Sequence, residues 1–263
     1  MVMVSHPAQP SIFRDEAPPR PLIEAQNLSK HFGGLRAVSA VSFAIRQGEM
    51  VGVIGPNGSG KTTLFALLSG FLPPTTGEIR FQGQSIVGLG PDRLCHLGIV
   101  RTFQMVRPFL DMSVFENVKA AAVFGKPEKR SKDQIQREVN EILEASGLAA
   151  FREHPPASLS LPQRKRLEVA RALATRPSLL LLDEVLAGLN PGEVEKALPF
   201  IRNLNAKLGV TILVIEHNLR AIMGLSDRIL VLNFGRLIFD GAPKEAVQDR
   251  DVVEAYLGNY DNA

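Results

Sequence analysis

The chemistry in this chain begins at Gly55. The stretch Gly55-Pro56-Asn57-Gly58-Ser59-Gly60-Lys61-Thr62 fits the spacing G-x-x-x-x-G-K-[ST]. Glycines so placed let a loop curl until several backbone N–H groups aim at one point, and a helix starting at Lys61 adds the positive end of its dipole. A phosphate suits that nest, with Lys61 pairing with the outer phosphates and Thr62 offering a hydroxyl to Mg²⁺. An apolar run, Met50 to Ile54, precedes the loop and the helix-like TLFALLSG follows it, which is the context such a loop requires.

Two further runs end in groups that would serve a bound phosphate. Leu179-Leu180-Leu181-Leu182 delivers Asp183 and Glu184, and Ile212-Leu213-Val214-Ile215 delivers Glu216 and His217. In open parallel sheets, ligands gather at the carboxyl ends of strands. Asp183 is expected to hold Mg²⁺ through water and Glu184 to orient or deprotonate an attacking water, because phosphoryl transfer asks the protein for positioning and charge stabilisation. An imidazole at His217 is placed to donate to a γ-phosphate and report its presence. A single nucleotide site accounts for all three strand ends.

The elements that must position these groups follow from the pattern of the chain. From Leu22 to Phe81 short β-like runs (LIEAQNL, AVSFAI, MVGVIG, EIRFQG) are broken by Gly and Pro, apart from the helix at Lys61. From about Pro91 to Ala174 the character is helical, with Ile135, Val139, Ile142 and Leu143 on one face and Gly147 as a stop. SLLLLDE, a helix from about Glu193 to Leu208 interrupted at Pro199, TILVIEH, another helix, RILVLNFG and RLIFDG complete the chain. This alternation predicts a mostly parallel sheet covered on both faces, with an inserted helical subdomain at about 105–174.

The chain has 263 residues, enough for one α/β domain with such an insertion at 21–263. At 45% hydrophobic and 22% charged residues the composition is that of a globular protein. A net charge of +3 is too small to argue a nucleic-acid partner. The lone Cys95 has no internal disulfide partner, which points to a reducing compartment. No apolar run approaches the roughly 20 residues that span a bilayer. Residues 1–20 lack a basic region followed by an apolar one, and their prolines predict a flexible tail rather than a secretory signal.

With these residues in place, the chain resembles the ABC ATPases from about Leu22 to Gly258. The resemblance implies an α/β P-loop NTPase core with an antiparallel β subdomain and an inserted helical subdomain, binding ATP and Mg²⁺. Phe32, in LSKHFGG, matches the aromatic residue that stacks on adenine. Gln104, in VRTFQ, matches the glutamine that touches Mg²⁺ at the joint with the helical subdomain. The implied nucleotide-binding set is Phe32, Gly55, Pro56, Asn57, Gly58, Ser59, Gly60, Lys61, Thr62, Thr63 and Asp183, with Ser160 and Gln163; Glu184, His217 and Gln104 serve catalysis, and Thr62, Gln104 and Asp183 the metal.

Leu159-Ser160-Leu161-Pro162-Gln163 occupies the place of the signature LSGGQ, which in the family contacts the γ-phosphate held by the opposite subunit. Here Leu161 and Pro162 replace both glycines, and Pro162 has no N–H to donate. Ser160 with Gln163 still reads as a capping box. In Ala187-Gly188-Leu189-Asn190, asparagine replaces the family aspartate. The cluster Arg164-Lys165-Arg166 reads as helix surface, and Lys126, Lys129, Arg130 and Lys132 as a solvated loop.

The segments FGGLRAV, VRTFQMVRPFLDMSVFENV, DEVLAGLNPGEVE, IEHNLRAIMGLSDRI and VVEAYLG are similar to the ATP-binding subunits of importers for branched-chain amino acids and related amides. The implied partners are integral membrane permeases, a second ATPase subunit and, indirectly, a substrate-binding protein, with this chain at the cytoplasmic face of the membrane. Phe109, Leu110, Met112 and Phe115 are apolar enough either to receive a short permease helix or to pack in the helical subdomain's own core. The alternatives are the ATPase of an envelope lipid exporter, a nucleotide-gated ABC switch outside transport, and a binding module without catalysis. Glu184 and His217 together argue against the last.

Overall fold

A computed structural model describes residues 20–102, 107–216 and 218–257; Gln104, His217 and nearly all of the N-terminal tail lie outside the described residues. The chain runs β1 (Ile23–Phe32), β2 (Leu35–Ile45), β3 (Met50–Ile54), α1 (Lys61–Leu68), β4 (Thr76–Phe81), β5 (Gln84–Ser85), α2 (Pro91–Leu97) and β6 (Ile99–Arg101). Then follow α3 (Val114–Gly125), α4 (Lys132–Ala145), α5 (Leu161–Ala174), β7 (Leu179–Asp183), α6 (Pro191–Leu208), β8 (Thr211–Ile215) and α7 (Leu219–Leu225). β9 (Arg228–Asn233), β10 (Arg236–Gly241), α8 (Pro243–Ala246) and α9 (Arg250–Leu257) close the described chain.

Two sheets form. β2-β1-β4-β5 is antiparallel throughout. The larger has the order β10-β9-β3-β8-β7-β6, in which β9 to β6 are parallel and β10 is an antiparallel edge. Every residue of β3, β7 and β8 is buried, as strands covered on both faces must be. On one face Leu64, Phe65 and Leu68 of α1 join the small sheet in a core with Val53, Leu181 and Leu213. On the other, α5, α6 and α7 pack Leu173, Ile201 and Ile222 against Leu180, Ile212 and Val214.

A third core holds Val114 and Val118 of α3, Val139 and Leu143 of α4, and Leu167 of α5. Ile135 and Ile142 pack against it, so the 3.6-residue spacing found its face. Gly147 N–H donates to the Glu144 carbonyl at 3.0 Å just beyond α4. α5 belongs to two layers, because Val169 and Leu173 face the sheet.

Two expectations are corrected. The stretch from about Pro91 is not uniformly helical, since β6 interrupts it and joins the large sheet, with Ile99 and Val100 pairing with Leu179 and Leu180. Three residues are too few to carry a period-two signal, so pairing with β7 decides their state. α6 runs unbroken through Pro199. Pro199 is exposed, so the carbonyl that loses its N–H partner can be met by water.

Candidate functional site

The parallel register brings the expected segments together. β8 lies between β3 and β7, and Ile215 pairs with both Val53 and Asp183. The loop after β3, the pair Asp183-Glu184 and Glu216 therefore leave the sheet at one edge and one level. His217 is the next residue in the chain.

The loop is shaped by contacts that only glycine permits. A Cβ on Gly60, at φ +103°, would sit 2.3 Å from the Ala37 carbonyl oxygen, and one on Gly55 2.1 Å from that of Leu232. Neighbouring backbone thus packs directly on the loop, and Gly235 N–H donates to the Ser59 carbonyl at 3.0 Å. Lys61 is buried and folds over the loop, its Nζ donating to the carbonyls of Gly55 (2.8 Å) and Pro56 (2.9 Å). Burial lowers its pKa, and the negative charge of Glu184 opposes that shift. Ser59 Oγ is buried with no hydrogen-bond partner among the described residues.

A cleft of about 620 Å³ opens over the loop, lined by Phe32, Asn57, Gly58, Gly60, Lys61, Thr62, Thr63 and Glu184. Phe32 is half exposed at the end of β1, with Lys30 Nζ 5.3 Å from the ring centroid. The cleft therefore combines an aromatic wall, a backbone nest, an ammonium and a carboxylate.

Asp183 and Glu184 have very different settings. The Asp183 carboxylate is buried and paired with Arg101, whose Nη2 lies 2.6 Å from Oδ2. Glu184 turns at φ +51°, a left-handed conformation that costs a non-glycine residue roughly 1–3 kcal/mol. Three contacts brace this corner. Glu184 N–H donates to the Ile215 carbonyl at 3.0 Å, Lys165 Nζ reaches the Glu184 carbonyl at 3.4 Å, and Leu186 N–H donates to Glu216 Oε1 at 2.7 Å. Burial, aided by the charges of Glu184 and Asp183, pushes the Glu216 carboxyl up to about 7, against the pull of Leu186 N–H and Lys165.

Ser160 and Gln163 are placed elsewhere. Ser160 heads α5, with its N–H donating to Gln163 Oε1 at 2.8 Å. Both line a separate cavity of about 280 Å³ between α5 and α6, so the structure does not bring them to the phosphate loop of their own chain. Leu161 leans on the turn after β7, with its Cδ2 3.3 Å from where a Cβ on Gly188 would sit. Asn190 caps α6, its side chain accepting from Glu193 N–H at 3.0 Å.

Several surface readings are corrected. Lys165 is buried beneath Glu184, and Arg166 lies over the Phe200 ring at 5.5 Å, because α5 is sandwiched between layers. Arg130 is drawn in by Glu138 (2.5 Å) and the Ala122 carbonyl. Phe115 is buried under Arg152 at 4.7 Å, leaving Phe109, Leu110 and Met112 as the exposed apolar group. Arg101 and Lys165 are site residues that sequence reasoning missed, because both looked like ordinary charges. Glu216 was placed at the strand end by the sequence, but without a role.

A phosphate loop after one parallel strand, with a carboxylate pair ending a second, defines a P-loop nucleoside triphosphatase. The family model described as ABC transporter matches residues 38–187, and this chain belongs to that family as an ATP-hydrolysing cassette. The high-affinity branched-chain amino acid transport ATP-binding protein BraF of Pseudomonas aeruginosa is 39% identical over 251 residues, 91% of this chain and 98% of that protein. LivG of Escherichia coli K12, described in the same words, is 38% identical over the same shares. Among solved structures, a nucleotide-free ATP-binding cassette from an ABC transporter superposes with a TM-score of 0.81 at 32% identity, covering 90% of this chain and 99% of that one. A cassette in its ADP conformation gives 0.81 at 33% identity with the same coverage. Among the described residues no helix is long and apolar enough to cross a membrane.

Proposed function

We propose that this chain energises an importer of branched-chain amino acids or related amides and small organic solutes, docked on integral permeases at the cytoplasmic face of the membrane. The observation that carries the reading is the meeting of Lys61, Asp183 and Glu184 at one end of the parallel sheet, joined to the likeness to BraF and LivG along 91% of the chain.

Within this reading Phe32 stacks on adenine, residues 55–63 hold the phosphates, and Ser59 Oγ gains a phosphate oxygen as partner. Lys61 exchanges the loop carbonyls for the β- and γ-phosphates. Glu184, on its braced corner, orients the attacking water and accepts its proton. His217 senses the γ-phosphate. The donor set fits Mg²⁺: Thr62, Asp183 and Gln104 would hold it, few protein ligands being needed where phosphate oxygens supply the rest. When bound, the ion neutralises charge developing on the transferred phosphoryl group.

Closure of two ATPase subunits around ATP, followed by reopening, biases the permease toward one side of the membrane. Phe109, Leu110 and Met112, exposed where the chain enters the helical layer, suit a permease helix. The altered signature, with no N–H at Pro162, favours pairing with a different ATPase subunit, so that nucleotide held by this chain is hydrolysed faster than that facing Ser160. A dimeric cassette bound to ADP and Pi, 27% identical with a TM-score of 0.74, supports the pairing of two ATPase subunits.

Glu184→Gln is expected to keep ATP binding and to lower turnover by roughly 10²–10⁴-fold, whereas Lys61→Ala weakens binding itself. Normal turnover in Glu184→Gln would refute the assigned base. Affinity capture of the chain from solubilised membranes tests the assembly. Two polytopic permeases and a second ATPase support the importer, while a lipid-export complex or only soluble partners overturn it. Equal effects of the Glu→Gln change in either ATPase subunit would sink the asymmetry.

A further inference from the structure

β6 is three residues long, yet its last side chain reaches the centre of the site. Arg101 Nη2 and Nε lie 2.6 and 3.2 Å from Asp183 Oδ2, and the two side chains are 9% and 7% exposed. The guanidinium also stands 5.9 Å from the ring centroid of Phe65, on the helix that follows the phosphate loop. Thr102 completes the clasp: its N–H donates to the Leu181 carbonyl at 2.9 Å, and its Oγ1 accepts from Asp183 N–H at 3.2 Å. Two residues later the chain reaches Gln104.

Stability alone is a weak reason for such a pair, because burying two charges costs about as much as their attraction returns. What an arginine offers here is geometry. Its planar fork engages one carboxylate oxygen through two N–H groups and so restricts rotation of the carboxylate, which a lysine ammonium does not. Its charge also stands directly against that of Asp183, which together with Glu184 acts on Glu216 in the same corner.

We propose that Arg101 is a positioning residue for the divalent cation: it fixes the orientation in which Asp183 meets the metal. The inference deepens the reading of Asp183 as a cation ligand and rests on it. Without the fork, Asp183 keeps its place in the sheet and loses its aim.

The test compares the dissociation constant of a fluorescent ATP analogue in EDTA with that in excess Mg²⁺, using the full chain. The ratio of the two reports the cation's contribution to binding, whereas a merely structural role would move both constants together. Asp183→Asn is expected to collapse the ratio, and Arg101→Gln to lower it roughly tenfold while leaving the EDTA value nearly unchanged. Arg101→Lys, with charge but no fork, should fall between; should Arg101→Gln not fold, the lysine variant decides. A collapsed ratio in Asp183→Asn with a parental ratio in the Arg101 variants overturns the positioning role. A parental ratio in Asp183→Asn overturns the metal reading of Asp183 and the proposal with it.

Discussion

Glu216→Gln should stabilise this protein, by a margin that grows as pH rises from about 4.5 to about 7 and then levels off. The Glu216 carboxyl is carried from an ordinary 4.5 up to about 7, first by burial and then by the nearby charges of Glu184 and Asp183. Across that window the folded protein keeps a proton that the unfolded chain has released, so stability falls as pH rises through it. By pH 8 the folded state bears the full penalty, roughly 3 kcal/mol. Glutamine has the same shape and still offers an oxygen to Leu186 N–H, which now donates at 2.7 Å, but it carries no charge. The variant is therefore expected to exceed the parent by about 2–3 kcal/mol at pH 8 and by less than about 1 kcal/mol at pH 5. In a chain of this size that is a melting-temperature gain of roughly 4–12 °C at the higher pH. Parallel urea and thermal unfolding at pH 5, 6, 7 and 8 measures it, and groups not coupled to Glu216 cancel in the difference. A difference independent of pH, or a less stable variant at pH 8, would refute the argument.

Gly60→Ala should disrupt the loop, because its Cβ would meet the Ala37 carbonyl oxygen at 2.3 Å from a backbone at φ +103°; an expected loss of about 2–5 kcal/mol and weakened ATP binding are checked by melting and titration. Lys165→Met removes the ammonium 3.4 Å from the Glu184 carbonyl and should cost about 1–3 kcal/mol while lowering kcat more than it raises KM, which steady-state kinetics beside a melt will read. Phe32→Ala should weaken ATP roughly 5- to 100-fold and leave inorganic tripolyphosphate binding unchanged, as competition titrations of the two ligands will show.

Much of this site was legible in the chain because its parts are local. Gly55 to Thr62 are consecutive, so the loop's chemistry is written in one string, and the all-apolar runs before Asp183 and Glu216 announce strands buried on both faces. The face of α4 and the box at Ser160 and Gln163 are likewise set within a few residues.

What escaped sequence reasoning depends on residues far apart. Whether Arg101 is a surface charge or the partner of Asp183 is decided by β6 pairing with β7, some eighty residues away. Lys165 reads as solvent-facing until α5 is packed between the helical layer and the sheet. The raised pKa of Glu216 exists only where β8 lies beside β7 and brings three carboxylates together in a dry corner. Sequence alone determined the loop and the two strand ends that meet beside it, because curling a loop and burying a strand are short-range consequences of residue type. Tertiary structure decided how those groups are aimed and charged, because orientation and desolvation arise from neighbours that the chain supplies only after it has folded.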